Sequence, residues 1–114
     1  MASPVMDIMT NNIDELYSQL QVRHRVEDHL TRLISTGVTV QVDEQSRHRY
    51  EYDFYNLLTM LGYTNNAHYA ILRMNGFTNP NQYRVTDEYL IVPDQDDLRW
   101  LHDIHRIYKR YGSQ

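Results

Sequence analysis

Residues 71–94, ILRMNGFTNPNQYRVTDEYLIVPD, restrict the possible folds more than any other part of the sequence. The stretch begins with apolar residues at helical spacing and is interrupted by Gly76 and Pro80. It ends in a short apolar strand that Pro93 terminates. Because a strand needs a neighbour for its backbone groups, the chain has to bring a second strand beside this one. The sequence therefore predicts a small, tightly closed unit.

Two earlier stretches also predict strands. VTVQV at 38–42 is β-branched and alternating. RHRYEYDFY at 47–55 alternates again and places Tyr50 and Tyr52 on one face. DEQS between them predicts a turn, although it contains no strong turn dipeptide. We therefore expect these two strands to pair as a hairpin.

A long N-terminal helix is predicted to begin at Asn12, because Glu15 three residues later completes a capping box. It is predicted to end at Gly37, with residues 1–10 forming a mobile arm. A single apolar stripe on a helix needs another surface to cover it, so segment 1–46 is expected to be an assembly element. The stripe consists of Ile13, Leu16, Tyr17, Leu20, Val26, Leu30, Leu33 and Ile34.

Two short helices are predicted in the middle of the chain. Asp53 is placed to cap the first and Gly62 to end it. TNN at 64–66 starts the second, and Gly76 ends it. Their apolar faces are expected to close the core of segment 47–93. The residues concerned are Phe54, Leu57, Leu58 and Leu61 in the first helix, and Tyr69, Ile71, Leu72 and Met74 in the second.

Segment 94–114 contains the clearest helix pattern. Aspartates lie at its start, and Lys109 and Arg110 at its end, as the helix dipole favours. Trp100, Ile104 and Ile107 widen its apolar stripe to nearly half of the circumference. We therefore predict that these three residues form a second apolar face that binds a partner. The main stripe consists of Leu98, Leu101, His105, Tyr108 and Tyr111.

Composition favours a subunit of a larger assembly. The chain has 114 residues and ten tyrosines, and tyrosine suits interfaces because it combines an apolar ring with a polar hydroxyl. Its net charge of −4 argues against a nucleic-acid binder, and Glu51 and Asp53 offset Arg47 and Arg49 among the nearby tyrosines. There is no apolar run of about 18 residues and no signal-peptide pattern, so we expect neither a membrane-spanning segment nor secretion of the protein. The expected location is the cytoplasm, or a particle assembled there.

Residues 50–93 resemble a LysM domain, a small βααβ module. YEYDFYNLL stands for the opening strand and turn, with Asp53 matching the capping Asp of the family. Asn75, Asn79 and Pro80 have the family spacing after the second helix, and EYLIVPD corresponds to the closing strand. The resemblance implies an α+β fold in which both helices pack on one face of a two-stranded sheet. Phe54 stands where the family has a small Thr or Ser.

LLTMLGYTNNAHYAILRMNGFTNP is similar to a short pattern in baseplate wedge proteins of contractile-tailed bacteriophages. In that family a LysM-like module is a structural joint between neighbouring wedges. The resemblance implies a virion protein of the phage tail, assembled in the host cytoplasm, with other tail proteins and copies of itself as partners. The residues that fit the pattern are Gly62, Asn65, Tyr69, Ile71, Asn75 and Pro80.

Candidate catalytic and metal-binding patterns all have simpler interpretations. His102 and His105 are three residues apart on a helix, but a metal needs further ligands from elsewhere. The aspartates at 94–97 suit a helix N-terminus and lack the Gly and distal Glu of a calcium loop. There is no cysteine and no Gly-x-Ser-x-Gly elbow, and Glu51 and Asp53 do not flank a cleft. We predict no cofactor, no metal and no enzymatic activity.

Two functions remain as hypotheses. The first is a structural subunit of a phage tail baseplate, and the second is a LysM module that binds peptidoglycan or chitin. For the first, the predicted partner-binding residues are Trp100, Ile104, Ile107, Tyr50, Tyr52 and Tyr55. For the second, the predicted glycan-binding residues are Asp53, Phe54, Tyr55, Asn75, Gly76 and Asn79.

Overall fold

The computed structural model describes the backbone of residues 4–112 and the side chains of residues 16–108. Within that part the chain forms six α-helices and one two-stranded antiparallel sheet, which confirms the predicted α+β class. The radius of gyration is 16.2 Å, above the roughly 13 Å expected for a compact domain of this length. The elements are α1 (Pro4–Asp28), α2 (Leu30–Ser35), β1 (Val38–Gln41), α3 (Glu44–Arg49), α4 (Phe54–Met60), α5 (Asn65–Met74), β2 (Tyr89–Val92) and α6 (Gln95–Gly112).

The sheet pairs β1 with β2, and α3, α4 and α5 lie between them in the sequence. Val38 is opposite Val92, and Gln41 is opposite Tyr89. The predicted hairpin between 38–42 and 47–55 is therefore wrong, because the partner of the first strand comes from the far end of the core.

Helix capping explains why the second predicted strand is absent. The carboxylate of Asp43 accepts hydrogen bonds from the backbone N–H and the hydroxyl of Ser46, at 3.1 and 2.7 Å. This N-cap starts α3 at Glu44, inside the residues that the alternating pattern assigned to a turn and a strand. The chain then turns sharply through Tyr52, which has a left-handed φ of 65°. The turn is held where the Tyr52 N–H donates to the carbonyl of Tyr83 at 2.8 Å.

The N-terminal helix also differs from its predicted form. Helix α1 begins at Pro4, so residues 4–10 are helical and Asn12 does not cap the helix. The remaining residues of the predicted arm, 1–3, lie outside the described residues. A break at His29 separates α1 from α2, which ends just before Gly37. A Cβ on Gly37 would lie 2.6 Å from Cγ2 of Ile91, so only glycine fits between α2 and the sheet.

The core lies where α1, α5 and α6 meet the sheet and α4. Asp94 and Gly62 act at helix ends as predicted: the Asp94 carboxylate accepts from the Asp97 N–H at 2.8 Å, and Gly62 has a φ of 97° after α4. Asp53 occupies the N-cap position of α4, but its carboxylate accepts from the side-chain amide of Asn56 instead of the backbone. The largest fully buried side chains are Tyr83, Phe54, Leu33, Leu57, Leu58, Ile71, Leu72, Leu90, Leu101, Val26 and Val42.

Candidate interaction surfaces

Helices α1 and α6 run antiparallel and project from the core. At the core end, the rings of His29 and Trp100 are 4.8 Å apart. Nearer the N-terminus of α1, the hydroxyl of Ser18 donates to the carbonyl of Tyr108 at 3.1 Å. We call residues 4–21 of α1 and 105–112 of α6 the helical arm. The arm accounts for the length of the molecule, which measures 56 × 28 × 21 Å.

The described side chains of the arm include four large and exposed apolar groups. Leu16 is 54% exposed, Tyr17 61%, Leu20 51% and Ile107 45%. Residues two apart on a helix differ by about 200° in direction, so Leu16 and Leu20 lie on the side of α1 opposite to Ser18, which contacts α6. Among the described residues of α1 in the arm, the side that faces away from α6 therefore carries the exposed apolar groups of Leu16 and Leu20.

Helix α5 covers the continuation of this side of α1. The same face of α1 carries Leu20, Arg23 and Glu27, because these residues follow one another at spacings of three and four. The guanidinium of Arg23 lies 5.0 Å from the centre of the Tyr69 ring, and the carboxylate of Glu27 accepts from Tyr69 and Arg73 at 2.7 Å each. The stripe on α1 thus meets α5 at Arg23 and Glu27, while Leu16 and Leu20 remain exposed.

These polar contacts change the acidity of their members. Burial alone would raise the pKa of Glu27, but the hydrogen bonds from Arg73 and Tyr69 outweigh it and hold the pKa below its ordinary value. Burial, together with the hydrogen bond to Glu27, raises the pKa of Tyr69 to about 12. The tie between α1 and α5 is therefore an ionised carboxylate bound to a neutral phenol and a guanidinium at neutral pH.

The three residues predicted to form the second face of α6 lie in different environments. Ile104 is only 6% exposed and belongs to the core, so its assignment to an exposed face is wrong. Trp100 is half-buried between His29 and Arg32, whose guanidinium lies 5.2 Å from the ring centre. Ile107 is exposed in the arm. The difference arises because α1 and α2 cover this side of α6, a long-range contact that helix periodicity does not reveal.

The three tyrosines predicted to bind a partner also lie apart. Tyr50 is half-buried, and Tyr55 stacks on the ring of His68 with centres 5.4 Å apart. Tyr52 is 55% exposed, with the guanidinium of Arg84 4.3 Å from its ring centre. Of the three, Tyr52 offers the most accessible ring, and its left-handed backbone is uncommon outside glycine. Whether these tyrosines bind a partner stays a prediction.

The residues predicted for a glycan groove differ in their exposure, and only some of them are accessible. Phe54 is fully buried and its ring centre lies 5.2 Å from that of Phe77 and 5.4 Å from that of Tyr83. Asn75 is half-buried and binds the backbone of β2 through its amide. The exposed members of the set are Asp53, Gly76 and Asn79.

Sequence reasoning missed one further surface, the outer edge of β1. Val38 is 50% exposed, and Thr39 and Gln41 are also exposed. The alternating pattern predicted this strand, but it predicted residues 47–55 as its partner. Because β1 pairs with β2 on one edge and residues 47–49 are helical, the other edge of β1 is left without a strand in the described part of the chain.

Residues 16–108 contain no group of three or more metal-ligating side chains placed to hold an ion. In the described part, no helix is both long enough and apolar enough to span a bilayer. Comparisons with protein-family models, with curated proteins and with solved structures found no match to this chain.

Proposed function

We propose that the protein is a structural subunit of a contractile phage tail baseplate, and that its helical arm binds a neighbouring subunit. The observation that carries the proposal is the exposure of four large apolar side chains in the arm, those of Leu16, Tyr17, Leu20 and Ile107. The sequence resemblance to baseplate wedge proteins supplies the kind of assembly. Other tail proteins and further copies of the chain are the proposed partners, and the virion is the proposed location.

The energetics of the arm support association. Fully burying a large apolar side chain contributes roughly 1.5–3 kcal/mol. The four exposed groups are each about half-exposed, so covering each adds about 1 kcal/mol. This free energy of burial favours association. Ser18 already holds α1 against α6, so a partner that binds the arm loses less conformational entropy in ordering it.

The peptidoglycan-binding alternative has less support. Glycan recognition needs accessible polar and aromatic groups around a cleft. Here Phe54 fills the space beside Phe77 and Tyr83, and the amide of Asn75 is engaged with Ile91. Three of the six predicted residues keep exposed side chains or backbone, which is a small surface for sugar binding.

A test of the proposed function compares Leu20→Glu with Gln19→Glu in complementation of a phage that lacks the gene. Both changes add one carboxylate to an exposed position of the same helix, but only the first places it on the apolar side. Both variants should fold, as judged by circular dichroism. Quantitative mass spectrometry of purified tails should find the Gln19→Glu protein at wild-type copy number and the Leu20→Glu protein strongly depleted.

Two results would contradict the proposal. One is wild-type incorporation of the Leu20→Glu protein, which would remove the arm from the interface. The other is absence of the wild-type protein from purified tails, which would remove the baseplate role itself. Sedimentation with purified peptidoglycan provides the second comparison, because retention of the wild-type chain would support the glycan-binding alternative instead.

A further inference from the structure

The outer edge of β1 presents backbone hydrogen-bonding groups in a regular pattern. The N–H of Val42 donates to the carbonyl of Glu88 at 2.8 Å, which makes this opposing pair a hydrogen-bonded one. Such pairs alternate in an antiparallel ladder, so the register places Val40 and Val38 in the same class. The N–H and C=O groups of Thr39 and Gln41 therefore point away from β2.

The corresponding edge of β2 is closed at Ile91 by a side chain. Ile91 is opposite Thr39, so its backbone groups also point away from the ladder. There they meet the amide of Asn75: the Ile91 N–H donates to Oδ1 at 2.8 Å, and Nδ2 donates to the Ile91 carbonyl at 2.9 Å. Among the backbone bonds of the described residues that lie outside the ladder, none closes the edge of β1 at Thr39 or Gln41.

Strand β1 is only four residues long, which limits pairing, but it lacks the charged residue or proline that often protects an open edge. Its sequence, VTVQ, contains no charged residue and no proline. Native proteins commonly place Lys, Pro or a covering loop at such positions to prevent pairing with another chain. Thr39 and Gln41 are exposed, which leaves room for another chain at this edge.

We propose that β1 pairs antiparallel with β1 of a second copy of this chain. A twofold axis at Val40 places Thr39 of one copy opposite the partner's Gln41, and both residues direct their N–H and C=O groups toward the other chain. The pairing makes four inter-chain hydrogen bonds and converts two small sheets into one sheet of four strands. It uses a surface separate from the helical arm and does not depend on the baseplate function.

A second copy fits this edge for reasons of symmetry and charge. The outward groups are spaced two residues apart on either side of Val40, which is the arrangement that a twofold axis reproduces. Because β1 is uncharged, two copies approach without like-charge repulsion at the strand, despite the net charge of −4 on each chain.

The contact is small, so the dimer should be weak in isolation. Stable interfaces bury at least about 1,200 Å² in total, and edge pairing over four residues covers less than that. The average molecular mass in solution should therefore rise with the protein concentration. Sedimentation velocity should show a monomer at about 10 μM and substantial dimer near 1 mM.

Thr39→Pro tests the register directly. Proline removes the outward N–H and leaves the bonds to β2 intact, because the Thr39 N–H makes none of them. Two of the four inter-chain bonds disappear in the symmetric dimer, so association should weaken by roughly tenfold or more. Thr39→Ala keeps the N–H and is the matched control, with near wild-type association. Circular dichroism and thermal melting check the fold of both variants.

Amide hydrogen exchange gives a second readout that does not depend on a variant. The amides of Thr39 and Gln41 should become protected as the concentration of the wild-type protein rises. Leu20→Glu should leave this protection unchanged, which separates the strand contact from the helical arm. A wild-type chain that stays monomeric near 1 mM would overturn the proposal, as would dimerisation without protection of these two amides.

Discussion

Asn75 connects two elements that are far apart in the sequence, and its replacement is the sharpest test of how the small sheet is held. Its Nδ2 donates to the carbonyl of Ile71 at 2.7 Å, at the exit of α5, and to the carbonyl of Ile91 at 2.9 Å. Its Oδ1 accepts from the N–H of Ile91 at 2.8 Å. The side chain of Asn75 therefore satisfies backbone groups both at the exit of α5 and on β2. Asn75→Ala removes all three hydrogen bonds.

The expected magnitude follows from these contacts. Each hydrogen bond contributes a net 0.5–1.5 kcal/mol, so three of them amount to about 3 kcal/mol. Unfolding entropy is near 2.1 cal/mol/K per residue, or about 0.24 kcal/mol/K for this chain. The melting temperature should therefore fall by about 12 °C. Asn81→Ala, at an exposed position nearby, is the matched control and should shift it by less than about 2 °C.

Asn75→Asp distinguishes the donor role of this side chain from its acceptor role. An ionised carboxylate keeps the bond from the Ile91 N–H but faces two carbonyl oxygens, which raises its pKa above the unfolded value near 3.9. A raised pKa means that stability is greatest in acid and is lost as pH rises through the folded pKa. Thermal melts between pH 3.5 and 7 should show this trend relative to wild type. A melting temperature of Asn75→Ala within about 2 °C of wild type would refute the account of the amide bridge.

Three further predictions concern one buried ring and two half-buried rings. Burial raises the pKa of Tyr83 to about 12, so its contribution to stability is complete below the ordinary value of 10.0 and is lost as pH rises toward 12. The wild-type free energy of unfolding should fall over this range, and Tyr83→Phe should reduce the fall; an unchanged pH dependence would contradict it. Burial lowers the pKa of His105, so stability should fall as pH drops below about 6.5, and His105→Gln should flatten this slope. If the stability of the variant falls with pH as steeply as that of the wild type, groups other than His105 cause the loss of stability in acid. Trp100→Ala should lower the free energy of unfolding by about 2 kcal/mol in urea titrations, because the ring packs on His29 and Arg32; wild-type stability would instead mark Trp100 as a surface residue.

Local signals in the sequence predicted local structure well. Gly62 and Gly76 end their helices with positive φ values of 97° and 79°. Asp94 caps α6, and Pro80 occupies the start of the short 3₁₀ turn Pro80–Gln82. Each of these residues acts through its own backbone or that of near neighbours, so the physical cause lies within a few positions of the residue.

The errors in prediction arise where distant segments compete. VTVQV was correctly predicted as a strand, but the residues after it form α3 because Asp43 and Ser46 make an N-cap. Alternation of side chains is a weaker determinant than a satisfied cap and the sheet partner available at β2. Nothing within the local window around β1 reveals that its partner lies about 50 residues away in the sequence.

The candidate site was predictable in kind and partly in position. An apolar surface larger than the core could cover was expected on both the N-terminal helix and α6, and the exposed groups are mostly on α1. Helical periodicity identifies an apolar stripe, yet it cannot tell which stripe the fold will cover. Here α1 and α2 bury Ile104 and half-bury Trp100, and Leu16, Tyr17 and Leu20 of α1 are left exposed.

The two proposed surfaces differ in what each can contribute to an assembly. Apolar burial is non-directional, so the helical arm with Leu16 and Leu20 supplies attraction but sets no unique orientation by itself. Backbone pairing at Thr39 and Gln41 is weak in total but directional, because a shift of one residue would direct the paired groups away from each other. An assembly that uses both combines affinity from the arm with orientation from the strand. Tethering one contact also raises the effective concentration of the other, so a strand contact too weak to hold two free chains together becomes sufficient within a particle.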